Sequence, residues 1–323
     1  MDREYKYLSQ EQVEHFIQYG YLRLTNCFSR EKAAEWTKTV WVRLGYDPND
    51  KSTWERERIN MPAHRREPVQ TFAPKAWGAM CELLGGEERV APQSATWGDG
   101  LIVNLGTPEW EGKWPHPADL DNWHVDGDFF THFLDSPEQG LLVIPVFTDI
   151  VEHGGGTMVC PDGIGHIARH LYNHPEGVTP RMNPRGTGEP HEDLSFYSSL
   201  VKKCSVFHEM TGQVGDVILL HPLMLHSASK NSLRIPRIIT NPPVSMREPF
   251  NFNRSDPGEY SLVEMKTLKE LGVESLPGWK VTGSREKLVP ENLPMREQMK
   301  AAEVKRLEAA GIKVGVPGVA VNV

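Results

Sequence analysis

The sequence predicts a mainly β protein with flanking helices, its strands forming an antiparallel sandwich or barrel. Three observations lead there. The middle of the chain breaks into short apolar runs at 101–105, 141–150, 157–160, 204–210, 214–221 and 234–240. Gly, Pro and Asp bound these runs, which is the pattern of strands separated by turns. Their spacing suits antiparallel neighbours better than alternating βα units. Helical periodicity is concentrated in the N-terminal third and the last sixty residues.

The first helix opens on Ser9 and Gln12, an S-x-x-Q capping box in which each side chain satisfies a free backbone N–H. Val13, Phe16 and Ile17 follow at helical spacing, and Gly20 stops it. A second helix is expected from Ser29 to Gly45, with Ala33, Trp36, Val40 and Leu44 on one stripe. A third starts at Pro74 and runs through Trp77, Met80 and Leu84 to Gly85. After the strand region, Ser261 and Glu264 form another capping box, backed by Met265, Leu268 and Leu271, with Gly272 as the stop. A last helix spans Met295 to Ala310. The two C-terminal helices either pack over the barrel or form a homodimer contact.

Residues 172–193 are rich in Pro and Gly and lack periodicity, so they read as a lid or binding loop or as a plain surface excursion. No repeat or linker divides the chain. The expected organisation is one domain: a helical flank (1–95), a β core (96–250) with a lid-like insertion (164–203), and a helical extension (251–323).

Composition narrows the function. The chain has 323 residues, 39% hydrophobic and 24% charged, which excludes collagen-like and disordered classes. No run approaches the ~20 apolar residues of a membrane span. A net charge of −8 disfavours gripping a phosphate backbone. Met1–Lys6 lacks the apolar core of a signal peptide and the chain ends without S-K-L, so the expected location is cytoplasmic. Cys27, Cys81, Cys160 and Cys204 are far apart with no CxxC pair, which favours reduced thiols over a zinc ribbon.

No phosphate-binding or dinucleotide fingerprint and no HExxH occurs, and Gly154–Gly156 reads as a tight turn. The histidines say more. His124-Val125-Asp126 is an H-x-D triplet, and on a strand residues i and i+2 share a face. An imidazole and a carboxylate then converge on one point, and one more histidine completes a 2-His-1-carboxylate site. Chance gives roughly 0.6 such triplets in this composition, and a second occurs at His191-Glu192-Asp193, where Asp193 reads better as a helix N-cap. For the third ligand, His221 and His226 both qualify. Five residues apart, they face opposite ways on a regular strand, but Pro222 disturbs the parity.

These pieces together resemble the phytanoyl-CoA dioxygenase family of Fe(II)/2-oxoglutarate oxygenases. The similarity runs in order through Leu8–Val13 and Gly20–Leu22, His124-x-Asp126, the turn Gly154–Gly156 leading into Thr157–Gly163, and Gly215-Asp216, His221-Pro222-Leu223, His226 and Arg237. It covers roughly residues 8–245. The resemblance implies a double-stranded β-helix (jelly-roll, cupin-like) core. It implies Fe(II) bound by His124, Asp126 and His226, with 2-oxoglutarate and O2 as co-substrates. It assigns the far carboxylate of 2-oxoglutarate to Arg237, with Thr157 offering a hydroxyl; Asn104, on the preceding strand, is expected to point into the site. Asp126 is retained where halogenating relatives carry Ala or Gly, so hydroxylation is the expected outcome. Two positions depart from the family. Asp121 stands where many relatives carry Gln, a carboxylate that must turn away or be paired, and Asp162-Gly163 replaces the usual Gly-Ser/Thr. Trp97, Trp123, Phe129 and Phe130 are the substrate candidates, for a largely apolar small molecule, against a competing reading as core. The alternative function is an inactive or 2-oxoglutarate-independent cupin-like metal-binding protein, which Arg237 disfavours.

Overall fold

A computed structural model describes residues 4–186 and 194–313. The N-terminal flank holds α1 (Gln10–Tyr19), β1 (Tyr21–Leu24), α2 (Arg30–Thr37), α3 (Val40–Leu44), β2 (Arg58–Asn60), β3 (Arg66–Pro68), α4 (Val69–Phe72) and α5 (Pro74–Leu84). The centre holds β4 (Thr96–Gly98), β5 (Ile102–Asn104), β6 (Leu141–Pro145), β7 (Thr157–Cys160), α6 (Gly163–Asn173), α7 (Ser195–Val201), β8 (His208–Met210), β9 (Val217–Leu220), β10 (Leu225–Ala228), β11 (Arg237–Ile239) and β12 (Pro243–Val244). The chain ends in α8 (Leu262–Leu271) and α9 (Leu293–Ala309).

All the strand pairs are antiparallel. The order β1-β9-β6-β12 forms one sheet and β11-β5-β2 another, and the bridge Val146↔Ile239 links β6 to β11. Opposite them lies β10-β7-β8, extended by the bridge His124↔His226. From the His124 segment to β11 the chain alternates between two facing sheets except at the β7–β8 hairpin, which is the double-stranded β-helix. Strands β6 and β9 are buried on both faces. Their continuous apolar runs follow from that double burial.

Local chemistry explains where elements depart from expectation. The helix expected from Ser29 to Gly45 is two helices. The Thr37 hydroxyl turns back to the Ala33 carbonyl at 2.9 Å, and Thr39 leaves the helical region at φ −105°, ψ 5°. The run 141–150 is regular strand only to Pro145, which cannot donate to a ladder. The run 204–210 is strand only from His208, because the Ser205 and Val206 amides donate to Asp162 at 2.7 and 3.3 Å. The expected insertion 164–203 begins as core rather than lid: Ile164, Ile167, Ala168 and Leu171 of α6 are buried, and α6 packs on α8. His191 and Asp193 lie outside the described residues.

The C-terminal helices pack on the body. Helix α8 lies against α1, α5 and α6, and α9 against α3. Helix α9 is held by a buried ion cluster: Glu303 accepts from Arg43 Nε at 2.8 Å and lies 2.8 Å from His64 Nε2, with the Arg43 and Glu303 side chains each 1% exposed. Removing one partner strands a buried charge. Glu303→Ala is expected to lose about 3–5 kcal/mol of stability, read from urea unfolding, whereas a loss near zero would mean that the cluster does not anchor α9. Among the described residues no helix is long and apolar enough to cross a membrane.

Candidate metal centre

His124 and His226 meet because their backbones pair. Each amide donates to the other's carbonyl at 3.0 Å, and the ring centroids lie 4.3 Å apart. Asp126, two residues on from His124, turns to the same point. Its Oδ1 lies 3.4 Å from His124 Nε2 and 3.6 Å from His226 Nε2. The other nitrogens face carbonyls: His124 Nδ1 lies 2.8 Å from the Asn122 oxygen and His226 Nδ1 3.0 Å from that of Met224. Carbonyls only accept, so each Nδ1 carries the proton and each Nε2 can turn a lone pair inward. The three ligand atoms lie within 4.8 Å of one another. Adjacent corners of an octahedron with bonds of about 2.1 Å are about 3 Å apart, so a small contraction around an ion closes the set.

The electrostatics favour a cation here. Burial would raise the Asp126 carboxyl, but the adjacent His124 and His226 imidazoles hold it well below the ordinary carboxylate range. Burial likewise opposes charge on His124, and Asp126 outweighs it, leaving that imidazole above its usual value. The residues therefore fit a divalent metal. Asn241 Nδ2 donates to Asp126 Oδ2 at 2.9 Å and fixes the carboxylate from behind.

Arg237 is the second feature. On the sheet β11-β5-β2 it lies in register with Asn104 and Arg58, so the three side chains share one face. Its side chain is buried, with Nε donating to the Gly155 carbonyl at 2.7 Å and Nη1 to that of Ile102 at 3.3 Å. No carboxylate forms an ion pair with it among the described residues. Burial and then Arg58 push its guanidinium down to about 9, with Glu209 opposing, so it stays charged at neutral pH. Gly155 makes this possible: its φ is +80°, and a Cβ there would sit 2.7 Å from Asn104 Nδ2 and from Asn231 Cβ. Arg237 and Asn241 have the same parity on one extended segment, about 13 Å apart.

The remaining candidates fall in different places. Thr157 is buried at the start of β7, and its hydroxyl has no hydrogen-bond partner among the described residues. Asn104 does not offer a free group: Nδ2 donates to Gly155 and Ser229 carbonyls and Oδ1 accepts from Gly106 N. Asp121 is paired, 3.3 Å from Lys230 Nζ and 3.5 Å from Arg58, which removes the repulsion expected of it. Phe130 lines a cavity of ≈ 20 Å³ beside Asp126 with Phe133, Leu134, Leu223 and Phe250. That volume holds about one water. Phe129 is half-buried on the neighbouring edge. Trp97 and Trp123 are fully buried in the main core and do not line this cavity, and the Trp123 indole N–H is spent on the Pro117 carbonyl.

A segment beyond the β core packs against residues 129–135, part of which line the cavity. Thr131 N donates to Glu286 O at 3.0 Å, and Leu288 N donates to Phe129 O at 2.8 Å. Arg285 pairs with Asp135 at 2.7 Å and lies over the Phe133 ring. Arg181 and Arg185 are occupied by the same stretch, through Glu291, Ser284 and Glu286.

His221, the other candidate ligand, is turned away. It is fully buried, with Nε2 3.0 Å from the Thr267 hydroxyl of α8 and Nδ1 accepting from Leu223 N. Burial and then Lys266 push it down to about 3. Its unfolded counterpart binds a proton below about 6.5, so stability present above that pH falls as the pH drops towards 3. The contribution is about 2 kcal/mol by pH 5. Urea unfolding at pH 7 and pH 5 should show a smaller pH effect in His221→Gln than in the wild type, and equal effects would refute the assignment.

Sequence reasoning missed Asn241 and Arg58. The parity of Asn241 with Arg237 was a usable signal; the register that sets Arg58 beside Asn104 was not, because it depends on long-range pairing.

No family model and no curated protein matches the chain. Solved structures do. One is the non-heme alpha ketoglutarate dependent carbocyclase SnoK from nogalamycin biosynthesis, at 16% identity and TM-score 0.41, covering 74% of this chain and 84% of that one. A second is EctD from S. alaskensis with 2-oxoglutarate and 5-hydroxyectoine, at 19% identity and TM-score 0.42, covering 74% and 76%. A third is HygX from Streptomyces hygroscopicus with nickel, 2-oxoglutarate and hygromycin B, at 12% identity and TM-score 0.40, covering 74% and 87%.

Proposed function

We propose that this chain is a non-haem Fe(II)/2-oxoglutarate-dependent dioxygenase that hydroxylates an unactivated C–H bond of a largely apolar small molecule. The observation that carries the reading is the Arg237 guanidinium, buried and without a carboxylate partner in the described structure, on the strand segment that also supplies Asn241 to Asp126. An unpaired buried charge is costly, and a ligand carboxylate meets that cost. A cupin-like metal protein without an oxo-diacid leaves it unexplained.

The roles follow from position. His124, Asp126 and His226 hold the iron through Nε2, Oδ1 and Nε2, and Asn241 keeps the carboxylate oriented. Arg237 takes the far carboxylate of 2-oxoglutarate in its planar fork, with the Thr157 hydroxyl as a further donor. The iron, when bound with 2-oxoglutarate, supplies the redox chemistry by which O2 oxidises both the oxo-acid, to succinate and CO2, and the substrate. Phe130, Phe133, Leu134, Leu223 and Phe250 give the neighbouring space a largely apolar wall. His132, Ser136 and Gln139 place a few polar groups in that wall.

The test is an anaerobic titration of the reduced, metal-free protein with Fe(II) and then 2-oxoglutarate. A weak visible charge-transfer band should grow with the second addition, and succinate should be released when air and a panel of small apolar metabolites are supplied. An iron-loaded, reduced protein whose spectrum ignores 2-oxoglutarate overturns the reading.

A further inference from the structure

The cysteines that stand far apart in the sequence do not all stay apart. Cys160, the last residue of β7, and Cys204, just beyond α7, bring their sulfurs within 4.8 Å of each other. Asp162 joins them: its Oδ1 lies 3.1 Å from Cys160 Sγ. One donor atom from each of the three residues lies within 4.8 Å of the others. In a tetrahedral zinc site, bonds of about 2.3 Å to sulfur and about 2.0–2.2 Å to oxygen put ligand atoms about 3.5–3.8 Å apart. Shifts of a few tenths of an ångström bring Cys160 and Asp162 to that spacing.

The carboxylate is already aimed. Asp162 Oδ2 accepts from Ser205 N at 2.7 Å, Val206 N at 3.3 Å and the Ser205 hydroxyl at 3.2 Å. These bonds wrap the 204–206 turn around Asp162 and leave its other oxygen against the Cys160 sulfur. Backbone donors behind a carboxylate play that part in metal sites. Cys160 is buried and Cys204 half-buried, so an ion can enter from the Cys204 side. The donor set differs in kind from that of the triad. Two sulfurs and one oxygen are soft where two nitrogens and one oxygen are borderline, and thiolates select zinc-like cations.

We propose that Cys160, Asp162 and Cys204 form a second metal site, which takes a thiophilic divalent cation of the zinc type and keeps one coordination position for water. The bound ion joins the end of β7 to the segment between α7 and β8. Cys160 is in register with Leu225, the residue before His226, so the staple steadies the strand pair that carries one histidine of the triad. Binding releases the thiol protons, so it weakens as pH falls.

The test uses the full chain, reduced and metal-free, with all four thiols first shown to be free. Co(II) is the probe, because a thiolate–cobalt bond gives an intense near-ultraviolet charge-transfer band that nitrogen and oxygen ligands do not. Wild type should show that band, and Zn(II) should bleach it stoichiometrically. Cys204→Ser, whose sulfur otherwise meets only the Leu200 carbonyl at 3.6 Å, should lose the band. Asp162→Asn, which keeps an oxygen for the Ser205 and Val206 amides, should weaken it at least tenfold. His226→Ala should retain it. No band in fully reduced wild type, a band that survives Cys204→Ser, or a band that His226→Ala removes each overturns the proposal. A Cys160–Cys204 disulfide that persists under reductant overturns it too.

Discussion

Arg237→Met is expected to abolish measurable 2-oxoglutarate binding while leaving Fe(II) binding intact. Truncating one partner of a buried, hydrogen-bonded charge pair costs about 2–5 kcal/mol, or roughly 30- to 3,000-fold in Kd. The geometry separates this effect from damage to the fold. In the ligand-free protein Arg237 is a buried cation with only carbonyl partners, so removing its charge relieves a desolvation cost. The ligand-free variant should therefore melt no lower than wild type, and 2-oxoglutarate should raise the melting temperature of the wild type and leave that of the variant unchanged. Arg237→Lys should fall between the two, because an ammonium keeps the charge but loses the fork. Calorimetric titration of iron-loaded protein reads all three, and an unaltered Kd in Arg237→Met removes the basis for an oxo-diacid.

The second large effect lies at the triad. His226→Ala should lose Fe(II) affinity by well over the 10- to 100-fold that removal of an outer-shell partner costs, and succinate release with it. Asn241→Ala should show that smaller loss, because it frees Asp126 Oδ2 without removing a ligand. The order matters more than either value. If Asn241→Ala costs as much as His226→Ala, or if His226→Ala binds iron normally, the ion sits elsewhere.

Much of this site was legible because its chemistry is local. The His124-x-Asp126 spacing converges through strand parity, and the capping boxes at Ser9 and Ser261 and the αL stops at Gly20, Gly85 and Gly272 act within one turn of chain. The choice between His221 and His226 was not legible from spacing alone. It is made by which histidine pairs with His124 and which packs under α8, both long-range events. The same limit explains Trp97 and Trp123. Their place in the sequence beside the site says nothing of direction, and their side chains point into the core. Helix α6 was missed although Ile164, Ile167, Ala168 and Leu171 recur at helical spacing, because it starts at Gly163 directly after strand β7 without a side-chain cap.

The stretch that runs over Phe129–Thr131 and binds Arg181 and Arg185 comes from beyond the β core, whereas the residues proposed to hold iron and the oxo-acid all come from within it. On the proposed reading, changes in residues 281–291 would shift the 129–135 stretch behind the cavity wall without touching the three metal-ligand candidates or Arg237, so substitutions there are expected to leave Fe(II) affinity unaltered.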